Sequence, residues 1–369
     1  MDDEAVVVAI LPNGNTIASM EAPALAERLT SDFDRAISEV HPFSCPTARV
    51  HALRRAVAAA NCLLASLEKH PDFFLADASN IEPLTVAQQY FRIRTHSLNV
   101  HATLHQIVSV FRLALHDFSD STVAATDVNM LLAAMRFTLV SLAHKPVHDL
   151  ADADSSGGHR SSDASAEPSR SSRIKVNASS DADVWFRRWI IGHQLHAALN
   201  VLAEASLRRA MDFLDRNMTD ETVQCVGHAA VFVAGFGPAR AYALSLPPAF
   251  YADVIRPSML PPFLAVPLSG RLHPEYNSYR QTLNDFLVAV PQPISDLVKA
   301  KPQLAFARER LLDADLAEAD RHISLVWTMV GSEKSLVQLP KQDDNALGAL
   351  RKIRDRRMIK HAQYMRFGS

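Results

Sequence analysis

Apolar residues recur three and four positions apart along most of the chain, the spacing that lines one face of an α-helix. Ala22 to Lys69 and Thr85 to Asp117 follow it, the second through Leu98, Leu104, Ile107, Val108, Phe111 and Leu115. Asp127 to His144 continues in the same way, with Asp127 placed as an N-cap ahead of Leu131, Leu132, Met135, Leu139 and Leu142. Only Ala5 to Leu11 suggests a strand, and one isolated strand builds no sheet. Between Asp149 and Asp183 the pattern stops, and Ser, Asp, Ala, Gly and Arg take over, as in Asp154-Ser155-Ser156-Gly157-Gly158. Such a stretch has almost nothing to bury, which predicts a disordered surface loop.

Beyond it the helical period returns. A long helix is expected from about Asp183 to Asn217, and a second from Asp220 to Phe236, closed by Gly235, Gly237 and Pro238. Leu246-Pro247-Pro248 opens a short helix, Ala249 to Ile255, which Pro257 and the Pro261-Pro262 pair end. Tyr276 to Val290 and Ile294 to Leu312 precede a separate helix carrying His322, and a basic helix runs from Ala346 to about Arg366. The expected fold is all-α, a helical bundle with one long disordered insertion. An N-terminal helical layer spans 1–148, the loop 149–182 and a helical core 183–369, the two helical parts forming one integrated domain.

The chain has 369 residues, of which 48% are hydrophobic, enough for a sizeable core. Lys and Arg total 38 against 40 acidic residues, a poor balance for a surface that must neutralise many phosphates, so nucleic acid is not an expected partner. Cys45, Cys62 and Cys225 are an odd, widely spaced set without a paired motif, which suggests neither a disulfide framework nor a thiolate zinc site and fits a reducing cytoplasm. The start Met1-Asp2-Asp3-Glu4 is acidic where an export signal is basic. Charges and prolines interrupt every apolar run before the roughly 18 residues a bilayer span needs, so no membrane partner is expected either.

Chemistry concentrates near the carboxyl end. His322, Leu325, Val326, Met329 and Val330 share one helical stripe, and Gly331 is the expected stop. A histidine held on an apolar face is commonly a satisfied core residue, but it can also bind a haem iron, with Ser332, Lys334 and Ser335 beyond the glycine available to haem propionates. His193 and His196 lie three apart on the long helix. Arg256 follows the run Pro248-Ala249-Phe250-Tyr251 and precedes Pro257. Each of these has a plain account: core imidazoles satisfied by backbone or water, and a helix-capping arginine paired with Asp253.

Taken together, Ile190-Ile191-Gly192-His193-Gln194, the span from Pro248 through Tyr251 to Arg256, and His322 through Ser335 resemble the indoleamine and tryptophan dioxygenase superfamily of histidine-ligated haem proteins. The likeness covers about Trp185 to Ser335. The stretch between Arg256 and His322 is short and the loop after the last helix lacks the superfamily's glycine- and threonine-rich character, features nearer to the haem-dependent aromatic hydroxylases, the tyrosine hydroxylase branch, and the pyrrolnitrin-pathway synthase. The resemblance implies a bundle enclosing haem b, with His322 as proximal iron ligand, His193 on the distal side as catalytic residue, Arg256 as the carboxylate anchor, and Tyr251 and His196 lining the substrate pocket. Glu318, one turn before His322, would hold the ligand's other nitrogen through its carbonyl or carboxylate. The reaction implied is oxygen insertion into an aromatic amino acid of tyrosine or tryptophan type with oxygen or hydrogen peroxide, the protein being compatible with a homo-oligomer.

Two alternatives stay open at this stage: a haem-dependent rearrangement of a tryptophan derivative, and a helical haem-binding protein without turnover. His273 in a proline-rich loop is either a second axial ligand or, as the local sequence favours, a loop residue. His101 and His105, with His96 and His116 nearby, have zinc-ligand spacing but lack the glutamate of a metalloprotease motif, so a solvated histidine face is the better reading. The run Arg351 to Arg357 reads as a solvated basic surface, or as a partner for propionates or an acidic protein.

Overall fold

The computed structural model describes residues 9–11, 27–40, 45–70, 73, 85–95, 98–143, 178–331 and 345–365. The predicted loop at 149–182 and Ser332, Lys334 and Ser335 therefore lie outside the described residues, apart from the helical start at 178. The rest is all-α. The N-terminal helices are α1 (Glu27–Ser38), α2 (Pro46–Glu68), α3 (Val86–Tyr90), α4 (Val100–Asp117) and α5 (Ala125–Ala143). The C-terminal ones are α6 (Ala178–Asp215), α7 (Thr219–Ala234), α8 (Phe236–Ala243), α9 (Pro274–Ala289), α10 (Ile294–Ala300), α11 (Pro302–Val330) and α12 (Ala346–His361).

Several expectations need correction. The strand near the start is not isolated: β1 (Ala9–Leu11) pairs in parallel with β2 (Ile93–Thr95), inside a stretch expected to be helical throughout. Helix α3 is opened by a capping box between Thr85 and Gln88 and ended by Arg92 at φ 52, a left-handed turn that sends the chain into β2. Gly235 stays right-handed, so α8 follows α7 at once. Pro238 fits the first turn of α8, where its missing N–H has no helical partner to lose. Pro257 does not end its helix either; Pro248–Phe250, a π-turn at Tyr251–Ile255 and Arg256–Ser258 run on continuously. His322 belongs to no separate helix but to the 29-residue α11, which does end at Gly331, at φ 60.

Helix α6 is central, packed against α4, α7, α8 and α9, while α11 lies on α7, α8, α10 and α12. Large fully buried side chains such as Phe111, Phe232, Phe236 and Phe286 fill the space between, each worth roughly 1.5–3 kcal/mol of transfer free energy. At Gly192 the absent side chain lets α6 and α8 approach closely: a Cβ there would lie 2.5 Å from the Cβ of Ala243 and 2.6 Å from its Cα. The N-terminal layer is tied to α6 by a buried ion pair, Arg188 to Asp117 at 2.6 and 3.0 Å, with Arg188 also donating to the Ser245 carbonyl at 2.6 Å. Contrary to the sequence expectation, Ala125–Leu142 and Thr219–Ala243 are long and apolar enough to cross a bilayer. Here they pack among the other helices, α5 on α1, α7 and α8, and α7 on α6 and α11.

Candidate functional site

The close contact at Gly192 sets the position of the next residue, His193, against α8 and the turn after α3. Its Nδ1 lies 2.8 Å from the Trp189 carbonyl, which can only accept, so Nδ1 carries the proton and Nε2 presents a lone pair. Phe91 stacks on the ring at 3.9 Å and 8°, and Trp189 leans on it at 4.1 Å. Burial pulls its pKa down to about 3 against the raising effect of the Trp189 carbonyl, with His273 and Arg240 adding to the depression. One tautomer of a neutral imidazole is therefore held in one orientation.

Three more imidazoles converge on the same place. His196, one turn on, is buried between Phe236 at 5.2 Å and Tyr276 at 6.5 Å. The Asn200 amide donates to the His196 carbonyl at 2.7 Å and lies 3.2 Å from its Nδ1. His273, at the start of α9, stands 5.3 Å from Phe91 and 6.3 Å from His193, and burial then Arg240 lowers it to about 4. It is non-helical, as the loop reading favoured from the sequence has it, and it is half-buried beside these rings. His322 on α11 is held well below its ordinary value by burial, then by Arg240, Arg357 and His193.

His193, His273 and His322 are surrounded by protein, yet each keeps part of its surface open. The two together mean that the rings border a cavity that solvent or a ligand can reach. The rings of His273 and His322 make no hydrogen bond among the described residues, and their nitrogens are not among the fully buried atoms there that lack a partner, so they stay open to solvent or a ligand. Nor does any group of three or more His, Cys, Asp or Glu among the described residues come close enough to hold one metal ion. Neutral imidazoles close to one another, with nitrogens open to a ligand and no grouping among the described residues that would hold a bare ion, suit iron carried in a flat macrocycle.

The cation of the site is Arg240 on α8. Its charge acts on His193, His196, His273 and His322 alike, and burial pulls its own pKa down to about 10, with Tyr276 opposing and Arg357 assisting. It pairs with Glu318 of α11. Glu318 also takes Arg357 of α12 at 2.6 Å, and Arg357 in turn reaches Tyr276 and Asp315. Asp315 is shared with Arg280 and with His361 at 2.9 Å; burial raises its pKa, but Arg280 first, then His361 and Arg357, outweigh that and hold it well below the usual carboxylate range. Glu318 is thus in the expected place, but its carboxylate serves two arginines rather than the His322 ring.

Of the residues singled out from the sequence, His193, His196 and His322 come together. Tyr251 is buried behind them, edge-on to Trp189 at 5.9 Å. Arg256 is half-buried just past the π-turn, and its charge is not among those acting on any of the four imidazoles. Arg240, Tyr276, Phe91 and Arg357 were missed. A signal for Arg240 existed, since it is the only Asp, Glu, Lys or Arg between Glu221 and Asp253. In the basic run near the end, Arg357 is buried in the ion-pair network rather than solvated. The solvated histidine face on α4 holds for His116, which is exposed, but not for His101, buried and stacked on His70 at 3.7 Å, while His105 meets Glu68 at 2.9 Å. His96 lies outside the described residues.

A sequence model of the family described as SfmD 3-methyl-L-tyrosine peroxygenase matches residues 5–307, a span that includes His193, His196, Arg240 and His273 and ends before His322. The search of curated proteins found no match. Among solved structures the chain resembles the one described as "Crystal structure of reduced SfmD by soaking with sodium hydrosulfite", with a TM-score of 0.53 and 18% identity over 86% of this chain and 96% of that one. At that identity the structural likeness is one of fold. The family match covers most of the chain, and the protein accordingly belongs to the SfmD 3-methyl-L-tyrosine peroxygenase family, a family of enzymes.

Proposed function

We propose that this protein is a haem-dependent peroxygenase that places one oxygen atom of a peroxide on the ring of a tyrosine-type amino acid. The observation that carries the reading is the convergence of four neutral imidazoles, from α6, the residue capping α9, and α11, in a chain of a peroxygenase family. His322 would hold the iron, with His273 as the other imidazole whose nitrogens are unpaired. Bound there, haem would supply the oxidising power that cleaves the peroxide O–O bond. Overall, a ring C–H becomes C–OH with one peroxide oxygen, and the other oxygen leaves as water.

The chain's own part is placement and proton handling. His193 Nε2 accepts a hydrogen bond from peroxide and relays its proton toward the departing water; so depressed a base holds that proton only in passing. Phe91 and Trp189 fix the ring that does this. Cys45 and Cys62 are exposed and Cys225 sits by Arg209 and Glu221, which supports haem b held without a thioether bond. A wider kinship with indoleamine and tryptophan dioxygenases is part of the same proposal and rests on the motifs around His193, Arg256 and His322.

The test is incubation of haem-loaded protein with hydrogen peroxide and 3-methyl-L-tyrosine or L-tyrosine, followed by mass spectrometry. A product heavier by one oxygen is expected, formed about 10²–10⁴ times more slowly by His193→Ala. Peroxide loss with both amino acids unchanged would overturn the proposal.

A further inference from the structure

The ion-pair network beside the cavity is not balanced. Three guanidiniums, those of Arg240, Arg280 and Arg357, face two carboxylates, Glu318 and Asp315. Neither carboxylate is left to Arg240 alone, because Asp315 is shared by Arg280, Arg357 and His361 while Glu318 is divided between Arg357 and Arg240. Arg240 is enclosed by protein, yet 16% of its side chain stays open, and His193, His273 and His322 are partly open as well. A buried, partly uncompensated guanidinium is costly unless a further anion completes it. A planar fork of donors matches a carboxylate at two points.

We propose that Arg240, backed by Glu318 and Arg357, is an anion seat in the cavity wall that receives one carboxylate of a bound ligand. It deepens the peroxygenase reading and rests on the same cavity. The carboxylate comes either from the amino-acid substrate or from a propionate of the cofactor. In either case Arg240 takes the anchoring role that the sequence alone suggested for Arg256.

Removing Arg240 leaves two guanidiniums and two carboxylates, so Arg240→Met should fold, and Arg240→Lys keeps the charge without the fork as a second variant. In the substrate arm, wild-type protein binds L-tyrosine more tightly than tyramine, which lacks the carboxylate, by roughly tenfold to a hundredfold. Arg240→Met abolishes that preference, Arg240→Lys reduces it, and Arg256→Ala keeps it. In the cofactor arm, Arg240→Met releases haem faster by a similar factor, whereas haem dimethyl ester leaves both proteins at one rate. If both ratios are unchanged in Arg240→Met, or Arg256→Ala alone removes the preference for the acid, the seat is refuted. Equilibrium dialysis of L-tyrosine and tyramine against cofactor-free protein reads the substrate arm even where haem binding fails, so the two readings fail separately.

Discussion

Mild acid should strip this protein of much of its stability when no cofactor is bound. His193 is pulled down to about 3, and His228 and His273 to about 4, in each case first by burial. In the unfolded chain all three titrate near the ordinary histidine value of about 6.5. Between about pH 6.5 and 4 the unfolded state therefore binds more protons than the folded one, so stability falls as the pH falls. At about pH 5 the difference is about 1.5 pH units for each ring, or about 2 kcal/mol, since one unit is worth about 1.4 kcal/mol. Three rings give about 6 kcal/mol, against a whole-domain stability of roughly 5–15 kcal/mol. His196 and His322 shift in the same direction and add to it. The assay is urea unfolding of cofactor-free protein followed by circular dichroism at neutral pH and near pH 5. Equal unfolding free energies at the two values would refute enclosed neutral imidazoles, and His193→Gln should lessen the pH dependence by about one ring's share.

Other consequences are local. Gly192→Ala should cost about 1–3 kcal/mol or more, read as a lowered melting temperature, because its Cβ meets the backbone of α8. Ala243→Gly should not rescue it, since the Cα and N of that residue, at 2.6 and 2.8 Å, remain; full rescue would show that only the side chain was in the way. Arg188→Met should cost about 3–5 kcal/mol in chemical denaturation by leaving Asp117 buried without its cation. Adding Asp117→Leu should recover much of that loss, and a single variant as stable as wild type would contradict the burial of the pair.

The period of apolar residues revealed α4, α6, α7 and α9 because each is long enough to repeat its pattern; it divided α11 in two, though Gly331 marked its end. Breaks were harder to see. Strands of three residues such as β1 and β2 have no period, and Arg92 in a left-handed conformation gives no sign of it in its side chain. Pro238 and Pro257 read as stops, but Pro238 sits in a first turn, where it loses no hydrogen bond, and Pro257 follows a π-turn in a helical run that ends one residue later. His193, His196 and His322 were legible through their helical faces and a family resemblance. Which residues cover a face is a tertiary fact, so His101, expected in water, turns out to stack on His70, and Arg240 rather than Arg256 supplies the field at the imidazoles.

The account stands most directly on His322 as the iron ligand. Absorbance spectra of wild type and His322→Ala, each titrated with haem, test it. The wild type should give a histidine-ligated Soret band that the variant lacks, and added imidazole should restore it. A variant that binds haem with an unchanged spectrum would contradict the assignment of His322.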